Sequence, residues 1–421
     1  MIALDPLKEI AQKCVRCGIC QSVCPVFAEL KKEPAVARGK VSLIRKLLSG
    51  ETDYSPKLST YLLQCLGCGA CSENCPNGVT ADELILGARA LMVDEKGLSL
   101  PKRLILRRIL KSVYLLPVLL KTGVLLQGLA LKKVPKESGL HVRFSLPYLD
   151  KDRFIPPIAR PFFLDRYPSE IGKQGAGERI GLFPGCSINF LFPSIGESTV
   201  RLLTRNGFGA ALPKDHACCG LPAYGSGDTE TARALARRNI EAFQHMDLKR
   251  ILVPCASCYY FLKAGYLKLF PGDKEVETFS RKIVEPSVFF SKEIAFPRQS
   301  DRPTDQKKKI RVTYHDPCHL RRGMKIYREP RALLRSMPEI ELVEMKEPNR
   351  CCGMGGSFNL IYYDLSKEIL QHKLDDIEST RADAVVTSCM GCLIQLKDGI
   401  HQRKMKTKVL HLTEVIEKRS Q

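Results

Sequence analysis

Eighteen cysteines, set out in two duplicated spacing patterns, constrain this chain of 421 residues more than any other feature. The first pattern is Cys14-Val-Arg-Cys17-Gly-Ile-Cys20-Gln-Ser-Val-Cys24-Pro25, which returns as Cys65-Leu-Gly-Cys68-Gly-Ala-Cys71-Ser-Glu-Asn-Cys75-Pro76. Each copy reads C-x2-C-x2-C-x3-C-P. Three thiolates in one short loop can cap three irons of a [4Fe–4S] cube, and in paired runs of this spacing the fourth cysteine serves the other cube. The expected ligand sets are therefore crossed: Cys14, Cys17, Cys20 and Cys75 for one cube, Cys65, Cys68, Cys71 and Cys24 for the other. Structural zinc is the competing use of such cysteines. It ordinarily takes two C-x2-C pairs separated by a longer loop, whereas here three cysteines stand in series, twice.

The second pattern lies in the rest of the chain. Cys186, Cys218-Cys219-Gly220 and Cys255-Ala-Ser-Cys258 are repeated as Cys318, Cys351-Cys352-Gly353 and Cys389-Met-Gly-Cys392, offset by 132 to 134 residues. Strand-like segments precede the cysteines in both copies: Arg179-Ile-Gly-Leu-Phe-Pro-Gly and Ile310-Arg-Val-Thr-Tyr-His-Asp-Pro before the first, Arg250-Ile-Leu-Val-Pro and Ala382-Asp-Ala-Val-Val-Thr-Ser before the C-x2-C pairs. Alternating strands and helices in each copy imply an α/β layer with parallel strands, and two copies imply two pseudo-symmetric lobes. The cysteines then fall where strands end, which is where open α/β sheets gather ligands.

Each C-x2-C pair opens a helix, so its sulfurs share one helical face near an N-terminus that favours thiolate. Adjacent Cys218-Cys219 and Cys351-Cys352 are poorly placed to form ordinary disulfides with each other, and joint service to one metal centre is the natural use. Five soft donors exceed the four of tetrahedral zinc. A redox metallocluster is therefore the expectation for each set, with zinc or dithiol chemistry as alternatives. His216, His315 and His319 stand beside these motifs and are read as hydrogen-bonding neighbours rather than ligands. Gly353-Met-Gly-Gly356 lacks the Lys-Ser/Thr of a phosphate loop.

The expected fold class is α/β overall: an N-terminal α-helical ferredoxin domain over 1–100, then two cysteine-rich α/β lobes at 179–295 and 310–421. The 40 residues between Cys24 and Cys65 leave room for helices that a minimal β-rich ferredoxin does not need. Residues 101–135 form a basic amphipathic segment, Leu104-Ile-Leu-Arg-Arg-Ile-Leu-Lys, followed by a second apolar run that Pro117 interrupts. Lys121 and Pro117 break the best apolar window, so the segment is not read as crossing a bilayer. It either packs on the neighbouring domain or lies on a membrane surface with its basic side chains at the headgroups. Proline-rich residues 136–178 and polar residues 296–309 are read as linkers.

The net charge of +21 first suggests nucleic acid. Anionic clusters offset part of it, the basic residues are dispersed, and no nucleic-acid motif is present, so a membrane surface or an acidic protein partner is expected instead. The N-terminus lacks a basic region followed by an apolar run, and clustered thiolates of this kind belong to a reducing compartment. The expected location is the cytoplasm, with peripheral membrane contact on that side.

Twin C-x2-C-x2-C-x3-C-P runs followed by two Cys-Cys-Gly repeats resemble the iron–sulfur subunit of glycolate oxidase over essentially the whole chain. Lactate-utilisation proteins, the anaerobic glycerol-3-phosphate dehydrogenase C subunit and heterodisulfide reductase share the architecture. Ala37-Arg38-Gly39-Lys40 after the first run is most similar to the glycolate oxidase branch. The resemblance implies two [4Fe–4S] cubes on the eight N-terminal cysteines. It implies one or two further non-cubane [4Fe–4S] clusters on Cys186, Cys218, Cys219, Cys255 and Cys258, and on Cys318, Cys351, Cys352, Cys389 and Cys392. The expected function is electron transfer from an FAD-containing dehydrogenase partner, which oxidises glycolate or lactate, to a quinone or similar acceptor. The chain has no dinucleotide fingerprint of its own. Because it keeps every cysteine of both sets, disulfide reduction of the heterodisulfide-reductase type is the alternative.

Overall fold

The structure is a computed structural model that describes residues 4–133, 140–142, 153–172, 177–294 and 309–419. Its N-terminal part is helical. Helices α1 (Leu4–Gln12), α2 (Ala37–Leu48), α3 (Pro56–Leu63) and α4 (Ala81–Lys96) close on a core that includes Leu7, Val41, Ile44, Leu58, Leu62 and Leu84. Local chemistry sets the boundaries. Ser55 accepts a hydrogen bond from the Leu58 amide with Pro56 in the first turn of α3, and Gly97 ends α4 in a left-handed conformation that residues with a Cβ avoid. The cysteine loops run between these helices, each leading into one short turn of helix, Cys20–Val23 and Ala70–Glu73.

The segment after α4 continues through Leu100–Leu104 and a π turn, Ile105–Leu110, to helix α5 (Leu115–Ala130). Pro117 does not interrupt that helix. It sits in the first turn, where its missing N–H has no intrahelical partner to lose. One side of the segment docks on the first lobe, with Leu106 buried and Arg107 Nε 2.9 Å from Asp228 Oδ2. The other side leaves Leu104, Ile105, Tyr114, Val118 and Leu119 exposed.

Both lobes are built on parallel strands in the same order. In the first lobe, β1 (Glu170–Ile171), β2 (Arg179–Leu182), β3 (Gly209–Ala211), β4 (Arg250–Leu252) and β5 (Ile283–Val284) lie in the order β1-β3-β2-β4-β5. In the second, β6 (Ile310–Tyr314), β7 (Ile340–Leu342), β8 (Ala384–Thr387) and β9 (Lys408–His411) lie in the order β7-β6-β8-β9. Apart from β1, which pairs antiparallel at one edge, the sheets correspond strand for strand in order and direction. The apolar runs Ile180–Leu182 and Val385–Val386 are buried, as parallel strands covered on both faces require. In each sheet the chain reverses its direction of winding between two central strands, β2 and β4 or β6 and β8. That switch point opens a crevice beyond their carboxyl ends.

The lobes share a core. Phe163, Val200, Leu203, Leu334, Leu412 and Ile416 form one apolar cluster across both sheets. Helices α6 (Pro193–Arg205) and α9 (Leu412–Arg419) pack together, Arg201 Nε lying 2.9 Å and Arg205 Nη1 3.0 Å from Glu417 Oε1. Residues 136–178, read from their prolines as a linker, contribute more than a connection. The described part supplies edge strand β1 and a 3-10 turn whose Phe163 ring is fully buried against Gly196. Prolines fix the turns without preventing the intervening aromatics from reaching the core. Residues 296–308 of the second expected linker lie outside the described residues.

Candidate iron–sulfur sites

All eighteen cysteines are free thiols. In the N-terminal domain they line two cavities, each with an open volume of about 400 Å3. One wall contains Cys24, Cys65, Cys68 and Cys71; the other contains Cys14, Cys17, Cys20 and Cys75, with Cys71 at the partition. Burial raises the Cys24 thiol to about 11, and Cys68 and Cys65, its nearest like-charged neighbours, push the same way. Four such sulfurs fit an iron–sulfur cube better than a single ion. Tetrahedral zinc, with Zn–S near 2.3 Å, would hold its sulfurs about 3.8 Å apart. Among the described residues, neither N-terminal set includes three ligand atoms within 4.8 Å of one another.

The stretch Ala37-Arg38-Gly39-Lys40, which sequence reasoning used only as a family marker, opens α2 between the two cavities. Arg38 lines the cavity of Cys14, Cys17, Cys20 and Cys75, and Lys40 lines that of Cys24, Cys65, Cys68 and Cys71 with a side chain almost wholly buried. Lys40 Nζ donates to the Ala35 carbonyl, and the sulfurs of Cys65, Cys24 and Cys71 are its principal anionic neighbours. Gly39 is required because a Cβ there would stand 2.0 Å from the Glu33 carbonyl oxygen. Arg89 on α4 is a second buried cation. It donates to the carbonyls of Leu62, Leu63 and Cys65, and at 2.8 Å to Gly225 O of the first lobe. A periodicity argument treats both as helix-surface positions, which is why neither was identified from sequence as facing the sulfurs.

In the lobes the ten cysteines gather at the crevices of the two sheets. Cys255 is the N-cap of helix α7 (Ala256–Tyr260) and Cys389 that of α8 (Met390–Gln402), both just past the ends of central strands. Gly220 and Gly353 take φ of +94° and +87°. This left-handed turn lets the amides of Leu221 and Met354 hydrogen-bond to the second sulfur of each Cys-Cys pair. Cys219 falls to about 6, held down chiefly by hydrogen bonds from Cys218 and Cys258 and to a lesser degree by the Leu221 amide, against its own burial. Cys352 falls well below the usual thiol range for the matching reason, through Cys351 and Cys392.

The sets also touch one another. Cys186 meets Cys218, Cys218 meets Cys219, and Cys219 meets Cys258, which meets Cys255. In the second lobe, Cys318 meets Cys351, Cys351 meets Cys352, and Cys352 meets Cys392, which meets Cys389. Cys255 and Cys389 meet across the lobe boundary, where the Ala256 amide donates to Ser388 O at 2.8 Å and Ser257 Oγ lies 3.3 Å from Cys389 Sγ. The N-terminal domain joins at Cys68, whose thiol contacts Cys351. Arg322 braces this junction, with Nη1 3.4 Å from Cys68 O and Nε 3.2 Å from Glu73 Oε2.

The three histidines differ. His216 Nδ1 is 2.8 Å from Pro213 O, and His319 Nδ1 is 2.9 Å from Ser257 Oγ with its ring stacked on Tyr260. His315 is buried, its Nδ1 has no hydrogen-bond partner, and burial beside Lys373 drives its pKa down to about 3.

Residues 10–79 match the 4Fe-4S dicluster domain family, and residues 180–263 and 312–397 match the cysteine-rich CCG domain family. Fold, thiol clusters and family matches together define an iron–sulfur electron-transfer protein with one dicluster domain and a pair of cysteine-rich domains. A probable glycolate oxidase iron–sulfur subunit from Bacillus subtilis (strain 168) is 31% identical over 414 residues, 96% of this chain and 92% of that one. The chain belongs to that family; its cofactors are multiple iron–sulfur clusters, and it is a subunit of an oxidoreductase. Lactate utilization protein A of Geobacillus sp. (strain WCH70) is 30% identical over 241 residues, which cover 57% of this chain and 100% of that one. A crystal structure of a hypothetical protein from Helicobacter pylori shares the fold, with a TM-score of 0.54 at 9% identity over 100% of this chain and 77% of that one.

We propose crossed ligation in the dicluster domain. Cys14→Ser and Cys75→Ser, 61 positions apart, should perturb the same cluster signal in electron paramagnetic resonance, and Cys24→Ser the other. Separate signals lost in Cys14→Ser and Cys75→Ser would contradict it. Lys40→Met removes a fixed cation that favours the more negative, reduced state. It should lower the reduction potential of the site that includes Cys24 by on the order of 100 mV, as a charge a few ångströms away does at an effective dielectric near 20. Potentiometric titration followed by paramagnetic resonance checks this, with the site that includes Cys14 as the internal control.

Proposed function

We propose that this chain accepts electrons from an FAD-containing partner that oxidises a 2-hydroxy acid, glycolate or lactate, and delivers them to a quinone or similar acceptor. The observation that carries the reading is the unbroken series of sulfur contacts from Cys68, through Cys351 and Cys352, to Cys389, Cys255, Cys219 and Cys186. Iron–sulfur clusters bound along such a series supply one-electron carriers at short separation. The residues contribute burial, backbone amides aimed at sulfur, and fixed cations (Lys40, Arg89, Arg322) that stabilise added negative charge. The names of the Bacillus and Geobacillus relatives support a 2-hydroxy acid as the donor substrate.

The far end of the series supports an acceptor drawn from a lipid phase. Cys186 and Cys218 line an open pocket with Val113, Leu116, Pro117 and Phe190, with Lys121 and His216 among its polar groups. The 110–121 segment that walls this pocket exposes Tyr114, Val118 and Leu119 on its outer side, near Arg108 and Lys111. No helix among the described residues is long and apolar enough to cross a membrane. Peripheral seating on an anionic surface of the cytoplasmic side suits this arrangement.

A second reading is kept by one observation. All ten lobe cysteines are present and gathered, as a disulfide-reducing site with non-cubane clusters requires.

Anaerobically prepared holoprotein should lose visible absorption when mixed with its flavoprotein partner and glycolate or lactate, and keep it when the flavoprotein is omitted. If neither acid bleaches the mixture while an organic disulfide generates a new paramagnetic species in the reduced chain, the second reading takes the place of the first. On the membrane side, the full chain should sediment with anionic phospholipid vesicles at low salt. Val118→Glu with Leu119→Glu should weaken that binding several-fold, and an unchanged bound fraction would remove the membrane from the scheme.

A further inference from the structure

The two lobes are close copies, and one of the positions at which they differ beside the sulfurs changes the donor set. His315 stands three residues before Cys318, and Phe183 stands three before Cys186. The two occupy the same place in their sheets. The His315 amide donates to Val386 O at 2.9 Å, and the Phe183 amide donates to Leu252 O at 2.9 Å, the corresponding carbonyls of β8 and β4. In the first lobe the Phe183 ring packs against His216 and Phe243, with centroids 5.1 and 6.3 Å away. In the second, an imidazole nitrogen of His315 and the sulfurs of Cys352 and Cys392 all lie within 4.8 Å of one another.

That convergence is the tightest set of metal-binding atoms among the described residues. His315 is 1% exposed, Cys352 2% and Cys392 6%, so water does not compete for the nitrogen. The ring's Nδ1 is buried without any hydrogen-bond partner, a condition that costs roughly 1–3 kcal/mol unless something fills it. His216 and His319 have their Nδ1 atoms occupied by Pro213 O and Ser257 Oγ. Neutral imidazole is a good donor to iron, and a mixed nitrogen and sulfur ligand set raises a centre's potential above that of an all-thiolate one.

We propose that His315 is a nitrogen ligand of the metal centre held by the second cysteine set, and that the first set, with Phe183 in that place, has only sulfur. This rests on the reading that the second set binds iron. The two sets are then chemically unequal, and the one touching the dicluster domain through Cys68 is the one with the nitrogen donor.

The test uses the full chain, loaded with iron anaerobically and grown with natural or 15N-labelled histidine. Pulsed paramagnetic resonance should show a strong imidazole nitrogen coupling on one lobe centre, replaced by the 15N pattern on labelling. In His315→Phe, which installs the first lobe's residue, that coupling should vanish while the dicluster signals stay unchanged. His319→Gln should leave the coupling in place. The labelled natural chain gives the answer even if His315→Phe does not fold. A coupling no stronger than that of a hydrogen-bonded amide, or one that survives in His315→Phe, would overturn the proposal. If Cys352→Ser and Cys392→Ser leave iron content and every signal unchanged, the second set binds no iron, and the underlying reading falls along with the proposal.

Discussion

The structure depends on keeping sulfur buried and negatively charged. A buried charge is costly unless it is paired or hydrogen-bonded, and this chain crowds eighteen thiols into a few crevices. Desolvation and mutual repulsion drive most of them upward, as at Cys24, Cys71 and Cys258. The compensation is distributed. Amides of Leu221 and Met354 turn onto sulfur, helices α7 and α8 begin at Cys255 and Cys389, and Lys40, Arg89, Arg322 and Lys373 are held nearby with little solvent around them. These cations find carbonyl oxygens as partners more often than carboxylates, which leaves their charge available to the sulfurs.

Duplication explains how so many ligands converge. One sheet with a switch point supplies a crevice at two strand ends. Two sheets sharing a core can set their crevices mouth to mouth, and the contact of Cys255 with Cys389 is the seam. The copies have diverged where packing permits. The first lobe carries an antiparallel edge strand and an aromatic filling at Phe183, and the second has His315 at the same register.

Much of this was legible in the sequence because spacing encodes it. The C-x2-C-x2-C-x3-C-P runs, the matching offsets of the lobe cysteines and the strand-like segments before them lead to a helical dicluster domain and two α/β lobes. Chemistry that depends on one side chain's direction was not legible. Nothing in the sequence of helix α2 says that Lys40 turns inward, and no spacing says that Cys68 meets Cys351 across 283 positions. Pro117 was misleading for a related reason. Its effect depends on where the helix starts, and the apolar residues around it do not mark that start.

Cys68 also sets the order in which the molecule can be completed. The dicluster domain is translated first, yet the face bearing Cys68 is covered by Cys351, Arg322 and Gly355, and Glu29 pairs with His372 at 2.9 Å. Residues as far along as His372 must leave the ribosome before that face is closed. Until then that side of the N-terminal domain faces solvent, so iron installed there early is open to oxygen and to chelators in a way that iron in the finished molecule is not.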